Sequence, residues 1–243
     1  MANRSISRNH VLAISLLALT ADLRAQSPAS VSNRVLAYFD HLSKEQHLDA
    51  YLTLARPTPV SMRYKAAALA NLPPTGNVRP SARSQARLAA LAPILEFYSR
   101  TGIIEPLVIG DTETTFIGLY ERCALIITQK ALDLLSEQEM QAVVAHELAH
   151  EWYWDEYQLA QELKQDDKMQ EIELRCDGIA ILALVRLRLN PSQIISAMRK
   201  MGNYDRDTAG ANRYVAPNER LTFARSMINS LSARGRAGSA VRE

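Results

Sequence analysis

Apolar and polar positions follow two different periods along this chain, and the change of period divides it. From Ser32 to Ala55 the apolar residues Val35, Leu36, Phe39 and Leu42 recur at helical intervals. Arg56-Pro57 and Pro59 predict the end of that helix. A second, short helix is predicted from Ser61 to Leu72, closed by the turn signal Pro73-Pro74-Thr75-Gly76. A third, from Ser81 to Tyr98, carries Leu88, Leu91, Leu95 and Phe97 and stops before Gly102. The pattern then changes. Glu105 to Gly110, Thr114 to Gly118 and Cys123 to Thr128 read as short strands, the last rich in β-branched residues. Helical spacing returns at Ser136, which stands three residues before Glu139 in a capping-box pattern. The helix it opens is predicted from Glu137 to about Leu163, with Gln165-Asp166-Asp167 as a polar break. Further helices are predicted from Gln170 to Arg188, from Asn190-Pro191 through Met201, and from Pro217 onward. This order predicts an α+β fold, mostly helical, with a small β-sheet beside the helix that begins at Glu137.

The two ends of the chain read differently. Arg4 and Arg8 precede an uncharged apolar run, Val11 to Ala21, and Leu23-Arg24-Ala25 then offers a small residue at a cleavage position. Residues 1–25 therefore read as an export signal, 26–80 as an N-terminal helical region, 81–235 as the main domain and 236–243 as a flexible tail. A run of eleven residues is too short to span a bilayer core of about 30 Å, so the mature chain is expected in the periplasm or outside the cell, with membrane contact possible but not indicated. The formal net charge is +2, and removing the first 25 residues brings it close to zero. That balance argues against nucleic acid as the main partner. Cys123 and Cys176 permit a disulfide in an oxidising compartment, but two buried thiols fit the sequence equally well.

The chemistry concentrates in His146-Glu147-Leu148-Ala149-His150. Residues four apart share a helix face, so both imidazoles can reach one ion while Glu147 holds a water. A catalytic zinc needs a third protein ligand and an open fourth position. Glu162, Glu171 and Glu173 are the candidates. Glu162 would require the helix to fold back on itself. Glu173 and Asp177 are four apart on an otherwise apolar stretch, which favours Glu173 as the ligand and Asp177 as the acceptor that orients a ligand histidine. One zinc per chain is expected. Tyr214 and Arg220 are candidates for a transition-state or structural role, Arg220 as partner of Asp177 or of an oxyanion. The strand from Thr114 to Gly118 is a candidate edge for an extended substrate backbone. Trp152, Tyr153, Trp154 and Tyr157 are read as core, as a wall of the specificity pocket or as a surface that meets membrane lipid.

The segment from Thr114 to His150 (TTFIGLYERCALIITQKALDLLSEQEMQAVVAHELAH) and that from Glu173 to Met201 (ELRCDGIAILALVRLRLNPSQIISAMRKM) resemble the Ste-type CAAX prenyl protease, HtpX and Oma group of gluzincin metallopeptidases. The resemblance covers about two-fifths of the chain and rests on the order strand, acidic helix start, HExxH and ExxxD. It implies a zincin-like fold, zinc and endopeptidase activity. The chain departs from the family at three places. Thr114-Thr115-Phe116 stands where Asn-Ala-Phe is usual, the link from His150 to Glu173 is short, and Ala216-Pro217 replaces a His-Pro pair. The expected function is an exported zinc endopeptidase acting on protein or peptide substrates, in the manner of envelope protein quality control. The alternative is a zinc-binding regulatory or scaffold protein whose peptidase activity is lost or self-inhibited.

Overall fold

The computed structural model describes residues 30–44, 48–54, 56–72, 80–110, 114–208 and 217–240. The segment read as an export signal and Tyr214 lie outside the described residues, as do positions 241–243. Eleven α-helices and three strands follow one another as α1 Val31–Lys44, α2 Leu48–Leu54, α3 Met62–Ala70, α4 Ala82–Ala89, α5 Ala92–Phe97, β1 Glu105–Ile109, β2 Ile117–Tyr120, β3 Ala124–Thr128, α6 Gln129–Leu134, α7 Glu137–Ala149, α8 Trp154–Glu162, α9 Asp166–Arg186, α10 Gln193–Thr208 and α11 Pro217–Ala240 among the described residues. A 3-10 turn, His150–Tyr153, joins α7 to α8. The architecture is mostly helical with one three-stranded mixed sheet, as the period change predicts.

Side-chain capping explains four of the helix starts. Ser61, Ser81 and Thr128 each accept a hydrogen bond from a backbone N–H three residues on. Ser136 and Glu139 form the full reciprocal capping box at the start of α7. Several boundaries differ from expectation. The helix expected from Ser81 to Tyr98 is two helices, because Pro93 has no N–H for a carbonyl of the preceding turn and sits in the first turn of α5. The region from Ser32 to Ala55 likewise holds α1 and α2 rather than one described helix. The second strand is shifted, since regular pairing with β3 covers Ile117 to Tyr120 and not Thr114 to Gly118. The helix expected to run from Glu137 to Leu163 tightens at His150 and restarts at Trp154. Asp166 and Asp167 are the first turn of α9 rather than a break, where carboxylates favour the helix dipole. α10 continues past Met201 to Thr208, and α11 reaches Ala240, into the segment read as a tail.

The sheet order is β1-β3-β2, with β1 parallel and β2 antiparallel to the central β3. β2 is thus an edge strand, and its open side faces α7. α9 is the axis of the helical part and packs on α7, α1, α11 and α8. Being covered on several sides, it is buried all round from Cys176 to Leu184, and Ile172, Leu174, Ile179, Ile181 and Leu184 are all at most 1% exposed. Each such side chain contributes roughly 1.5–3 kcal/mol through burial. α1 is part of this core. Val35 and Phe39 are buried, and the Phe39 ring occupies the space where a side chain at Gly178 of α9 would begin. Cys123 and Cys176 are both buried free thiols. Among the described residues, no helix is long and apolar enough to cross a membrane.

Candidate metal centre

His146 lies in the last turn of α7, and His150 is the residue at which the helix tightens. The capping box fixes the start of this helix, and the apolar face Met140, Val144 and Leu148 fixes its rotation against the core. Glu173 comes from α9, which crosses α7 beside it. Four atoms converge, one nitrogen of each imidazole and both oxygens of one carboxylate. His146 Nε2 and His150 Nε2 are 3.3 Å apart, His146 Nε2 and Glu173 Oε2 3.4 Å, and His150 Nε2 and Glu173 Oε1 3.5 Å. Donors on a tetrahedron around an ion about 2.0–2.1 Å away lie about 3.3–3.4 Å from one another. These three residues could therefore hold a metal ion with one tetrahedral position left open. Of the other candidate ligands, Glu162 is exposed at the end of α8, and Glu171 pairs with Lys168 and Arg175 away from the site.

A second layer of charge orients the donors. His146 Nδ1 donates to Asp177 Oδ1 at 2.8 Å, which leaves Nε2 free to turn its lone pair toward the convergence point. Asp177 is fully buried and receives Arg220 through two hydrogen bonds, Nε to Oδ2 at 2.9 Å and Nη2 to Oδ1 at 2.6 Å. Arg220 Nη1 lies 3.4 Å from Glu173 Oε2. Of the two roles open to Arg220 in the sequence, partner of Asp177 is the one its contacts fit.

Proton affinities follow from this packing. Burial, helped by the charge of Glu173, pushes Glu147 up to about 7, against the pull of His146, Arg220 and the Leu119 N–H. Burial pulls His150 down to about 4. For His146, burial and Arg220 work downward, but Asp177 and Glu173 prevail and lift it to about 9. Burial also opposes the charge on Glu173 and Asp177. The cations and hydrogen-bond donors around them outweigh it and hold both below the usual carboxylate range. A cation arriving at the centre must displace the His146 proton, which makes occupancy rise with pH.

The centre opens into a cleft of about 520 Å³. It is lined by Phe116 and β2, by α10, and by Trp154 and Tyr157. The aromatic run after His150 thus divides. Trp152 packs edge-on to Tyr98, and buried Tyr153 shares a hydrogen bond with Tyr51, so both belong to the core. Trp154 and Tyr157 line the cleft, with the Tyr157 ring 5.2 Å from that of His150.

Two features near the site had no readable signal in the sequence. The backbone N–H of Leu119, on the open side of β2, donates to Glu147 Oε2 at 3.3 Å. Glu151, the residue after His150, is buried between two cations: Arg100 Nε at 2.6 Å from its Oε1, and Arg122 Nε at 3.2 Å from its Oε2. Arg100 also donates to the Pro57 carbonyl, and Arg122 to that of Thr58. No spacing rule relates these positions, because the pairing crosses separate loops. No protein-family model and no curated protein matches the chain.

Proposed function

We propose that this chain is a zinc-dependent endopeptidase, with His146, His150 and Glu173 as ligands and Glu147 as general base. The observation that carries the reading is the convergence of two imidazole nitrogens 3.3 Å apart with the Glu173 carboxylate, whose two oxygens lie 3.4 and 3.5 Å from them, and the half-buried Glu147 carboxylate lining the same cleft. A structural zinc site closes its coordination with four protein ligands and has no need of a neighbouring base. The likeness of the HExxH and ExxxD segments to gluzincins supports the same reading, as does the signal-like N-terminus for an exported protein.

Zinc bound there would polarise the scissile carbonyl and lower the pKa of water toward about 7. The rest is done by the chain's own residues. Glu147 takes a proton from the attacking water and returns it to the leaving amine. Asp177 and Arg220 hold the His146 ring in register, so that the site is rigid before substrate arrives. In β2, hydrogen bonding to β3 alternates along the strand, and the Leu119 N–H is turned away from β3 toward Glu147. An extended peptide would add to that edge and bring its scissile bond over the centre.

The test compares wild type with Glu147→Gln and Glu173→Ala for zinc content and cleavage of casein. Wild type is expected to hold one zinc and cleave, Glu147→Gln to keep zinc and lose cleavage by roughly 10³-fold or more, and Glu173→Ala to lose zinc. Equal zinc in all three with cleavage in none would favour a zinc-binding regulatory protein instead.

A further inference from the structure

We infer that Arg122 is a positioning residue for the proposed hydrolysis: it clamps the β2–β3 turn onto the turn after His150 and so holds the edge strand against Glu147. The inference rests on the endopeptidase reading and assigns that site a further residue. The β2–β3 hairpin reaches the chain around the two histidines at two points. The Leu119 N–H donates to Glu147 Oε2 at 3.3 Å, and Arg122 Nε, three residues on, lies 3.2 Å from Glu151 Oε2. Glu147 and Glu151 are themselves four residues apart, with His150 between them. Glu147 has to meet water and substrate, so its bond to Leu119 cannot be the lasting anchor. Neither Arg122 nor Glu151 lines the cleft, and their bond can stay made through turnover. Glu151 is a firm point of attachment, because its buried carboxylate is held by Arg100 through Nε at 2.6 Å and Nη2 at 3.0 Å.

The conformation of the turn points the same way. Glu121 and Arg122 have φ of 46° and 54°, and the Cys123 N–H donates to the Tyr120 carbonyl across them at 2.9 Å. Two successive positive φ angles make a tight hairpin turn that asparagine and glycine adopt most readily. A glutamate and an arginine stand there instead, and both side chains are tied. Tyr64 Oη donates to Glu121 at the exposed side, and Arg122 Nη2 donates to the Thr58 carbonyl at 2.7 Å. The planar fork of arginine thus spans two anchors where a lysine would offer one point charge. Pairing with β3 fixes Leu119 within the sheet, and the fork fixes the end of the sheet against the segment that carries His146 and His150. At 3.3 Å the Leu119 bond is near its limit, so a shift of the turn by about 1 Å would break it.

The test compares wild type with Arg122→Met and Arg122→Gln. Glutamine places a neutral donor where arginine has Nε but lacks the reach to Thr58, so it is the milder change and carries the test if Arg122→Met does not fold. Amide hydrogen exchange is read by NMR on the full chain without substrate. The Leu119 amide is expected to exchange about tenfold faster in Arg122→Met and about threefold faster in Arg122→Gln, with the amides of Val144 and Leu148 in α7 unchanged. Zinc content and the turnover of fluorogenic casein are read on the same samples. For Arg122→Met we expect one zinc per chain, KM within about threefold of wild type and kcat lower by about 10–100-fold, because the scissile bond is misplaced rather than unbound. Unchanged Leu119 exchange in every folded variant overturns the clamp, and so does a loss of zinc and of α7 protection in step with kcat. Wild type that cleaves nothing, with Leu119 protection lost in the variants, overturns the endopeptidase reading and leaves the clamp. Full cleavage by variants that keep Leu119 protected does the reverse.

Discussion

Asp177 makes the strongest demand of any single residue near the centre. It is fully buried, and it is tolerable there only because Arg220 and His146 donate to it together. Asp177→Asn keeps the shape and removes the charge. Its amide cannot accept from both donors as a carboxylate does, and the His146 ring loses the partner that fixes its tautomer. Zinc affinity is expected to fall by about 10–100-fold, measured by competition with a chelator, with the fold intact. Much of this arrangement was legible from spacing alone. His146 and His150 four apart, and Glu173 and Asp177 four apart, each put a pair on one helix face, and the two faces meet. Arg220 could be named but not assigned, because its role depends on α11 crossing α9, which no local pattern encodes. The Leu119 N–H was invisible, since any residue on the open side of an edge strand offers the same group.

Among the elements, α7 has the most to hold in register, because both histidines depend on its start and its rotation. Glu139 closes the capping box at its first turn and also receives Ser196 and Lys200 from α10. Burial alone would raise its pKa, but Lys200, the Ser136 backbone and Ser196 outweigh that and lower it to about 2. A carboxylate depressed in the folded state stabilises above its unfolded pKa, and the benefit is lost as pH falls through the folded value. Glu139→Gln is therefore expected to lower stability by about 1–2 kcal/mol at pH 7, discounted for the half-exposed Lys200. The deficit should shrink as pH falls from about 4.5 toward 2, and urea unfolding of both proteins across that range measures it. The Ser136 and Glu139 signal was readable because a capping box is local. The end of the same helix was not: the chain tightens where Glu151 and Tyr153 are drawn to Arg100 and Tyr51, partners 51 and 102 residues away.

For the whole molecule, the N-terminal helix decides how the site is supported. In the sequence, the first hundred residues fit a lid, a prodomain or the core equally well. In the fold, α1 lies against α9 and α11 behind the metal centre, and Ser32 Oγ donates to Glu219, the neighbour of Arg220. Gly178 is the contact point. An alanine there would normally add about 1 kcal/mol to a helix interior, but its Cβ would come within 2.2 Å of the Phe39 ring. Gly178→Ala is expected to destabilise by about 1–3 kcal/mol, because the close-packed ring cannot retreat without opening the core. A lower midpoint in chemical unfolding would bear this out, and a higher one would place α1 outside the cooperative core. The period change between helices and strands made the fold class legible. The α1–α9 contact was not, because it depends on one glycine matching one aromatic ring more than a hundred residues apart.

The carboxylate of Glu151 bears on how the molecule assembles. Its two cations stand 51 and 29 residues earlier in the chain, and they also donate to the carbonyls of Pro57 and Thr58 respectively. A partial version, with the carboxylate enclosed and one arginine absent, leaves charge uncompensated in a dry interior at a cost of about 3–5 kcal/mol. Closing the intervening loops has an entropic cost that is recovered only when all the segments have arrived. The half-built state is thus poorly populated from either direction. The loops around residues 57, 100 and 122 and the turn after His150 lock and release together, and the chain just beyond the second histidine resists the piecemeal opening that loosens most helix ends.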